Sequence, residues 1–326
     1  MGYDVTPLQA CLMYANLSEL VTKTTVWPHP EDLFMGGSKV QCYETLRIAS
    51  LSMGVPTPFY VILGENISDP TFVKDFAEGR VQGVLKRDYS MKSQHVIFPT
   101  TPNTASTIQN ALNEEKKTWN TVEELFGRPQ WFLQPTVAHL LHVGEVRCFI
   151  VGGRLVYKVT TTPIKGGGVH VTNHEPTRPL HTHLWVFAFL RLFILFCSNI
   201  GSSYDPSKEF PYTYFTTDPE IDYTEFDDPK SNLDVFALEI LARVILLEER
   251  RLRRWSGLRV FCRLDVSIYR EQEGGLHHYF VNEITRTHGA GLFSLWDTNI
   301  RLNGFFNHMS QVLHHISSTE MTVWTG

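Results

Sequence analysis

The sequence has few cysteines, and they are not arranged to hold a fold together. Its 326 residues include five cysteines, an odd number, spread from Cys11 to Cys262 without a CxxC pair. A disulfide framework needs cysteines in pairs, and a zinc knuckle needs them close together. The sequence supports neither, and we expect a reduced, cytoplasmic protein.

Long apolar runs and an excess of positive charge are also lacking. The net charge is −5 at pH 7, so no general positive field would attract nucleic acid or an anionic membrane. The longest apolar run, residues 184–197, is interrupted by Arg191 and is shorter than the ~18 residues expected of a membrane-spanning helix. We therefore predict a buried helix there, and neither a nucleic-acid nor a membrane partner.

Several common catalytic motifs are missing as well. The sequence contains no GxSxG, no GxGxxG and no Walker A motif, which removes the usual support for a serine hydrolase, a Rossmann domain or a P-loop enzyme. Four histidines between His170 and His183 show no ordered ligand spacing. They do not predict a zinc site.

What is present is an ordinary globular composition in which helix and strand patterns alternate. The chain is 43% hydrophobic and 19% charged, and its length suits one large or two moderate domains. Apolar residues at helical spacing predict a helix from Lys39 to Met53, behind a capping Ser38. Segments 145–151 and 154–161 flank Gly152-Gly153 and predict a β-hairpin. The other predicted elements are strands over 58–63, 81–86 and 131–134 and a helix over 234–255. Interleaved helices and strands indicate an α+β fold.

Two strand-like runs around Glu273-Gly274-Gly275 carry the most informative polar residues. Folding the chain about Gly274 places Asp265 opposite Glu283 and Arg263 opposite Thr285, because both pairs are centred on position 274. Side chains alternate along strands, so these four would share one face. The other face would then hold an apolar set that suits a core, namely Leu264, Val266, Ile268, Phe280 and Ile284.

The opposed carboxylates admit two interpretations. Like charges that face each other repel, and a divalent cation such as Mg²⁺ between them relieves that repulsion. Alternatively, Asp265 and Glu283 are solvated charges paired with Arg263 and Arg286. A bulge near the turn would also shift the register by one residue and scatter the four polar groups. The spacing alone leaves both interpretations open.

Five segments, in the same order along the chain, resemble the ATP-grasp superfamily, which includes D-alanine:D-alanine ligases and ribosomal-protein glutamate ligases. Residues 262–266 and 280–285, CRLDV and FVNEIT, resemble its metal-binding hairpin with an Arg-x-Asp-Val strand and a Glu-x-Asn strand. Residues 145–153 resemble the strand that follows the adenine hinge, and 131–134 the hinge itself. Residues 84–86 resemble the strand that ends in a phosphate-binding lysine. The fifth segment is the predicted helix that opens with a lysine.

The resemblance implies a nucleotide site. Lys39, which opens that helix, and Lys86 would hold the phosphates of ATP. Gln134 and the neighbouring backbone would read the adenine, and Glu145 would meet the ribose, with Arg147 beside it on the same strand face. Glu145 and Arg147 are two residues apart and could equally form a structural ion pair.

The resemblance also implies a metal site and a catalytic residue. Asp265 and Glu283 would bind Mg²⁺, with Mn²⁺ as a possible substitute, and Thr285 would occupy the position of the third ligand. Arg263 would stabilise the phosphoryl group during transfer. Thr285 departs from the family pattern, which has an asparagine there, and a hydroxyl is a weaker metal ligand than an amide oxygen.

Fold and reaction follow as expectations from the same resemblance. ATP would lie between two α+β lobes, 39–135 and 136–326, with an acidic insertion at about 181–232 and residues 1–38 as the remnant of a preceding α/β domain. The reaction would phosphorylate a small-molecule or peptide carboxylate, and an amine would then attack the acyl phosphate. A nucleotide-binding regulatory protein without turnover is an alternative, favoured by Thr285 and by a glycine-poor loop after Lys86. A kinase acting on a hydroxyl is another.

Overall fold

The structure is a computed structural model, and it covers most of the predicted lobes but little of the predicted insertion. The expected helix at 184–197 and two of the four histidines, His181 and His183, lie outside the described residues. Those described are 7–24, 26, 29–55, 57–58, 60–89, 95–99, 103–119, 129–142, 144–163, 169–176, 229–270 and 277–286. No helix within these ranges is long and apolar enough to cross a membrane.

The first sheet has four antiparallel strands in the order β1-β4-β2-β3. Its strands are β1 (Val61–Ile62), β2 (Val84–Arg87), β3 (Val96–Ile97) and β4 (Trp131–Gln134). Helices α4 (Pro70–Ala77) and α5 (Thr104–Trp119) supply buried side chains against one face, among them Phe76 and Ile108. Lys86 lies opposite Phe132 in the register of β2 and β4, so it falls on the same face as Gln134. The two polar residues therefore emerge together on the face away from that core.

The second sheet has five antiparallel strands in the order β7-β6-β5-β8-β9. Its strands are β5 (Glu145–Val151), β6 (Arg154–Pro163), β7 (Val169–Pro176), β8 (Phe261–Arg270) and β9 (His277–Arg286). The predicted hairpin of β5 and β6 is confirmed, and its turn uses Gly152 and Gly153 at φ 55° and 73°. Such angles suit glycine, which has no Cβ to clash. These two antiparallel sheets with their helices confirm the predicted α+β class.

Helix α3 (Lys39–Ser52) lies against elements of both sheets. Ser38 accepts a hydrogen bond from the Gln41 amide at 3.4 Å and caps the helix start, as predicted. Leu46 and Ala49 are buried in the core of the second sheet, which is also filled by α7 (Pro229–Leu252). Tyr43 meets Phe132 of β4 edge to face, with ring centroids 5.4 Å apart. The first turns of α3 are thereby held between the two sheets.

Two helices precede α3, although the sequence before Lys39 is weakly patterned. They are α1 (Pro7–Val21) and the short α2 (Pro30–Met35). Another short helix, α6 (Ala138–His142), follows β4. The domain boundaries proposed at 38 and 135, and the origin of residues 1–38, stay predictions.

The register of the β8–β9 hairpin is as predicted at the polar residues and different nearer the turn. Asp265 pairs with Glu283 and Arg263 with Thr285. A β-bulge follows: Val266 pairs with Val281, so Asn282 is an extra residue on β9. The predicted place of Phe280 on the core face is wrong, because the extra residue reverses the alternation from there on. Tyr279 and Val281 fill the core instead.

Candidate active site

Lys86 is held in place by two neighbours on the inner face of the first sheet. Its Nζ donates to Oε1 of Gln134 at 2.7 Å and to the hydroxyl of Tyr43 at 3.2 Å. Burial lowers the pKa of the Lys86 amine to about 8; the Glu283 carboxylate opposes this shift, and the charge of Lys39 adds to it. The amine is thus positioned and partly stripped of water, as a group that binds an anion would be.

Lys39 lies at the first turn of α3, close enough to Lys86 for their charges to interact. Burial lowers its pKa, while the carboxylates of Glu283 and Asp88 oppose that shift. Asp88 accepts from the Val40 amide at 2.8 Å and so ties the start of α3 to the end of β2. Two desolvated amines side by side repel each other, and a polyanion between them would remove that repulsion.

Arg263 and Asp265 form a two-fold hydrogen-bonded pair on β8. Nε and Nη2 of Arg263 donate to the two carboxylate oxygens of Asp265 at 2.6 and 2.7 Å. Nη2 also donates to the Thr285 hydroxyl at 3.0 Å. Burial opposes the charge on Arg263, but the Asp265 carboxylate outweighs it and raises the pKa of the guanidinium. Asp265 is 1% exposed. The ion pair of Arg263 with Asp265 is therefore buried, and not solvated as the alternative interpretation had it.

Glu145 and Arg147 form the ion pair that their spacing allowed. Nη2 of Arg147 lies 3.0 Å from Oε1 of Glu145, and Nδ2 of Asn282 donates to Oε2 at 3.2 Å. Burial, and after it the charge of Asp265, raises the pKa of Glu145 to about 7, although Arg147 and the Asn282 amide act in the opposite direction. Asp265 lies next to this pair on the neighbouring strand, because Arg147 and Asp265 are directly opposed on β5 and β8.

Glu283 is the exposed carboxylate of the site. Its charge acts on both Lys39 and Lys86, which belong to α3 and the first sheet, and on Arg263 of the second. The charge of Glu283, on the hairpin, thus links the two lysines to Arg263. Gln134 is bound to Lys86, and Thr285 to Arg263.

The oxygen donors of this site fit a hard divalent cation. No group of three His, Cys, Asp or Glu residues able to hold a metal occurs in the described part of the chain. Each oxygen of a carboxylate has two lone pairs, so Asp265 keeps acceptor capacity beside Arg263. Glu283 is accessible, and the buried Oδ1 of Asn282 has no hydrogen-bond partner among the described residues. Carboxylate and amide oxygens are ligands that Mg²⁺ accepts.

Sequence analysis missed three residues of the site. Tyr43 is one helical turn beyond Lys39, a spacing that places both on one face, but it was counted only as an apolar helix position. Asp88 gave no signal, because its partner is 48 residues away at the Val40 amide. Asn282 reaches the site only through the β-bulge, which the sequence does not reveal.

A small cleft beside Lys86 is walled by side chains from both sheets and from α3. Tyr43, Tyr60, Gln134 and Phe280 are among its lining residues. Tyr43 and Tyr60 each meet Phe132 in edge-to-face contacts, which fixes their orientation. The remaining lining is mainly aliphatic and includes Leu46 and Val281, so Gln134 supplies the one amide of the wall.

Comparison with known proteins found similarity in structure only. No protein-family model matches the chain, and no curated protein matches it in sequence. Among solved structures, the chain is similar to the D-cycloserine synthetase DcsG, with 14% identity, a TM-score of 0.48 and coverage of 94% of this chain and 78% of that one. It is also similar to the ATP-grasp ligase PsnB with a minimal precursor, with 13% identity, a TM-score of 0.39 and coverage of 88% and 62%.

A second PsnB structure, with precursor peptide PsnA2 and AMPPNP, gives 13% identity, a TM-score of 0.39 and coverage of 94% and 69%. At such identities, the roles of individual residues depend on the geometry of this chain.

Proposed function

We propose that the chain is an ATP- and Mg²⁺-dependent ligase that activates a substrate carboxylate as an acyl phosphate for attack by an amine or a similar nucleophile. The observation that carries the proposal is the placement of Lys39 and Lys86 next to Glu283. Two partly buried cations face an acidic hairpin from which an arginine also projects. Phosphoryl transfer needs this combination, since its catalysis consists mainly of positioning and charge stabilisation.

Each group of the site has a role in this proposal. Lys39 and Lys86 bind the phosphates, and Tyr43 and Gln134 hold the Lys86 amine in position. Gln134 and the neighbouring backbone read the adenine, and Glu145 with Arg147 lies at the ribose or the transferred phosphate. When bound between Asp265 and Glu283, Mg²⁺ would neutralise charge on the phosphates. Arg263, oriented by Asp265, stabilises the phosphoryl group as it moves to the substrate carboxylate.

The proposal defines the two substrates by their chemical class. A small-molecule or peptide carboxylate and an amine are the expected acceptors, and both similar proteins, a D-cycloserine synthetase and a ligase bound to precursor peptides, are compatible with that class.

A nucleotide-binding protein without turnover is the second candidate. The observation that favours it is the engagement of Arg263, whose Nε and Nη2 already donate to both oxygens of Asp265 and to Thr285. An arginine held so firmly has less freedom to follow a moving phosphoryl group. Under this alternative, nucleotide and Mg²⁺ bind as proposed but no ADP forms.

Nucleotide binding is tested with the full chain and a matched pair of lysine variants. Lys86→Met removes the buried amine, whereas Lys74→Met removes an exposed one on α4. We expect ATP with Mg²⁺ to raise the melting temperature of the wild type and of Lys74→Met, because a ligand that binds only the folded state stabilises it. Lys86→Met should lose that shift. An equal shift in all three proteins would refute the site.

Turnover is tested separately by ADP release. Release that requires both a carboxylic acid and an amine selects the ligase, and release with a hydroxyl acceptor selects a kinase. Nucleotide binding without ADP release across a broad panel of acceptors selects the second candidate.

A further inference from the structure

Asn282 reaches the polar face of the hairpin only because of the β-bulge. Two residues of β9, Asn282 and Glu283, lie where β8 has Asp265 alone. The Asn282 amide nitrogen donates to Oε2 of Glu145 at 3.2 Å, and the charge of Glu145 interacts in turn with those of Asp265 and Glu283. Asn282 therefore lies on the polar face, next to the carboxylate of Glu145, and is not a residue of the core.

The amide oxygen of Asn282 lacks a partner. Its Oδ1 is buried and makes no hydrogen bond within the described ranges. With Glu145 ionised, the amide must donate to it, since the reverse orientation would bring two oxygens without a proton together. A buried carbonyl oxygen without a hydrogen bond is unfavourable, because it has lost its contacts with water and gained none in the protein. A hard cation shared with the neighbouring carboxylates would satisfy it.

Thr285 is already engaged in a contact that disfavours a metal. Its hydroxyl accepts a hydrogen bond from the charged Arg263 at 3.0 Å. That hydrogen bond occupies one of the two lone pairs of the hydroxyl oxygen, and amide oxygens, unlike hydroxyls, are common protein ligands of hard divalent cations. Of the two neutral oxygens near Glu283, only the one on Asn282 is free of a cation.

We propose that Oδ1 of Asn282, and not the hydroxyl of Thr285, is the neutral oxygen ligand of the divalent cation that Glu283 binds. The assignment rests on the proposed function, because it concerns the cation of that site. In this arrangement the bulge restores an amide ligand that position 285 lacks, and Thr285 serves to orient Arg263.

Mn²⁺ titration of the full chain in the presence of AMPPNP tests the assignment, with free Mn²⁺ measured by electron paramagnetic resonance. Asn282→Ala should weaken Mn²⁺ binding by at least about tenfold, because removing even a group that only supports a metal ligand costs about ten- to a hundredfold. Thr285→Val should bind Mn²⁺ as the wild type does. Asn66→Ala, at an exposed asparagine after β1, is the matched control and should also bind normally.

A change of metal preference separates ligation from a merely structural role. Asn282→Cys replaces a hard oxygen with a soft sulfur, and we expect it to lose Mn²⁺ but to gain affinity for Cd²⁺, with a sulfur-to-cadmium charge-transfer band. Asn66→Cys should show no such gain. If both Asn282→Ala and Thr285→Val lose Mn²⁺, the cadmium result decides between them.

The possible failures are distinguishable. A wild type that binds Mn²⁺ with AMPPNP, together with an Asn282→Ala variant that binds it equally well, overturns only the ligand assignment. A wild type that binds no Mn²⁺ with AMPPNP overturns the proposed function, and the assignment with it.

Discussion

The environment of Lys86 determines its charge at physiological pH. Its amine is surrounded by the Tyr43 ring, with Nζ 5.5 Å from the centroid, and by the Gln134 amide, and neither is a carboxylate. Burial therefore lowers the pKa of Lys86 to about 8, and the more distant Glu283 only partly opposes the shift. A lysine with this pKa is charged at neutral pH and neutral in mildly alkaline solution.

We expect the affinity for ATP with Mg²⁺ to fall as pH rises through about 8, the pKa of Lys86. Above its pKa, the Lys86 amine of the free protein is neutral, whereas the bound phosphates require the protonated amine. Nucleotide binding must then take up a proton, and this weakens binding as the pH rises. Isothermal titration calorimetry from pH 7 to pH 10 measures the effect.

Lys86→Arg is the control for that titration. Its guanidinium stays protonated throughout this range. The variant should therefore bind with an affinity that changes little with pH, even if the affinity is weaker overall. The same decline in the variant as in the wild type would assign the titration to another group.

At the scale of elements, helix α3 connects the fold to the site. Its amide groups are satisfied at the start by Ser38 and by Asp88, and its second turn carries Tyr43 against Lys86. Because Lys39 is the first residue of the helix, the position of its amine depends on how well that first turn is formed.

Ser38→Ala should destabilise the protein by about 0.5–2 kcal/mol, the usual cost of removing an N-cap oxygen. It should also weaken nucleotide binding, because the first turn of α3 positions Lys39. Ser106→Ala, at an exposed serine in the first turn of α5, is the control. Urea unfolding of the three proteins measures the difference, and equal midpoints would show that the cap does not hold α3.

The β8–β9 hairpin shows what sequence patterns could and could not predict. Its pairs at 263/285 and 265/283 are symmetric about Gly274, as predicted, but the pairs nearer the turn are symmetric about 273.5, so the predicted register holds only beyond the bulge. The bulge at Asn282 was not predictable, because no residue type requires it and the alternation on each strand stays plausible without it. The helix beginning at Lys39 was clear from apolar spacing and its cap. The bond from Lys86 to Tyr43 depends on how α3 lies on the first sheet, which local patterns do not encode.

At the scale of the whole molecule, buried charges join the segment before α3 to the second sheet. Asp32 of α2 is 3% exposed and pairs with Arg254 at 3.2 Å and with Arg286 of β9 at 3.5 Å. Arg286 also pairs with Glu248 of α7. Gly257 allows the close approach, since a Cβ there would lie 2.7 Å from Oδ2 of Asp32. Residues 30–35 are therefore anchored next to the strand that carries Glu283 and Thr285.

Asp32→Ala tests whether this anchor is structural. The substitution leaves Arg254 with Glu31 and Arg286 with Glu248 as their remaining carboxylate partners. Losing one charged partner in a buried network should cost about 1–3 kcal/mol. Asp75→Ala breaks a comparable pair with Arg80, which is 55% exposed, and should cost only about 0–1 kcal/mol. Urea unfolding of both variants compares the two environments directly. If the free energy of unfolding fell by the same small amount in both variants, α2 would be attached through its apolar contacts alone. The position of β9 would then not depend on the charges of residues 30–35.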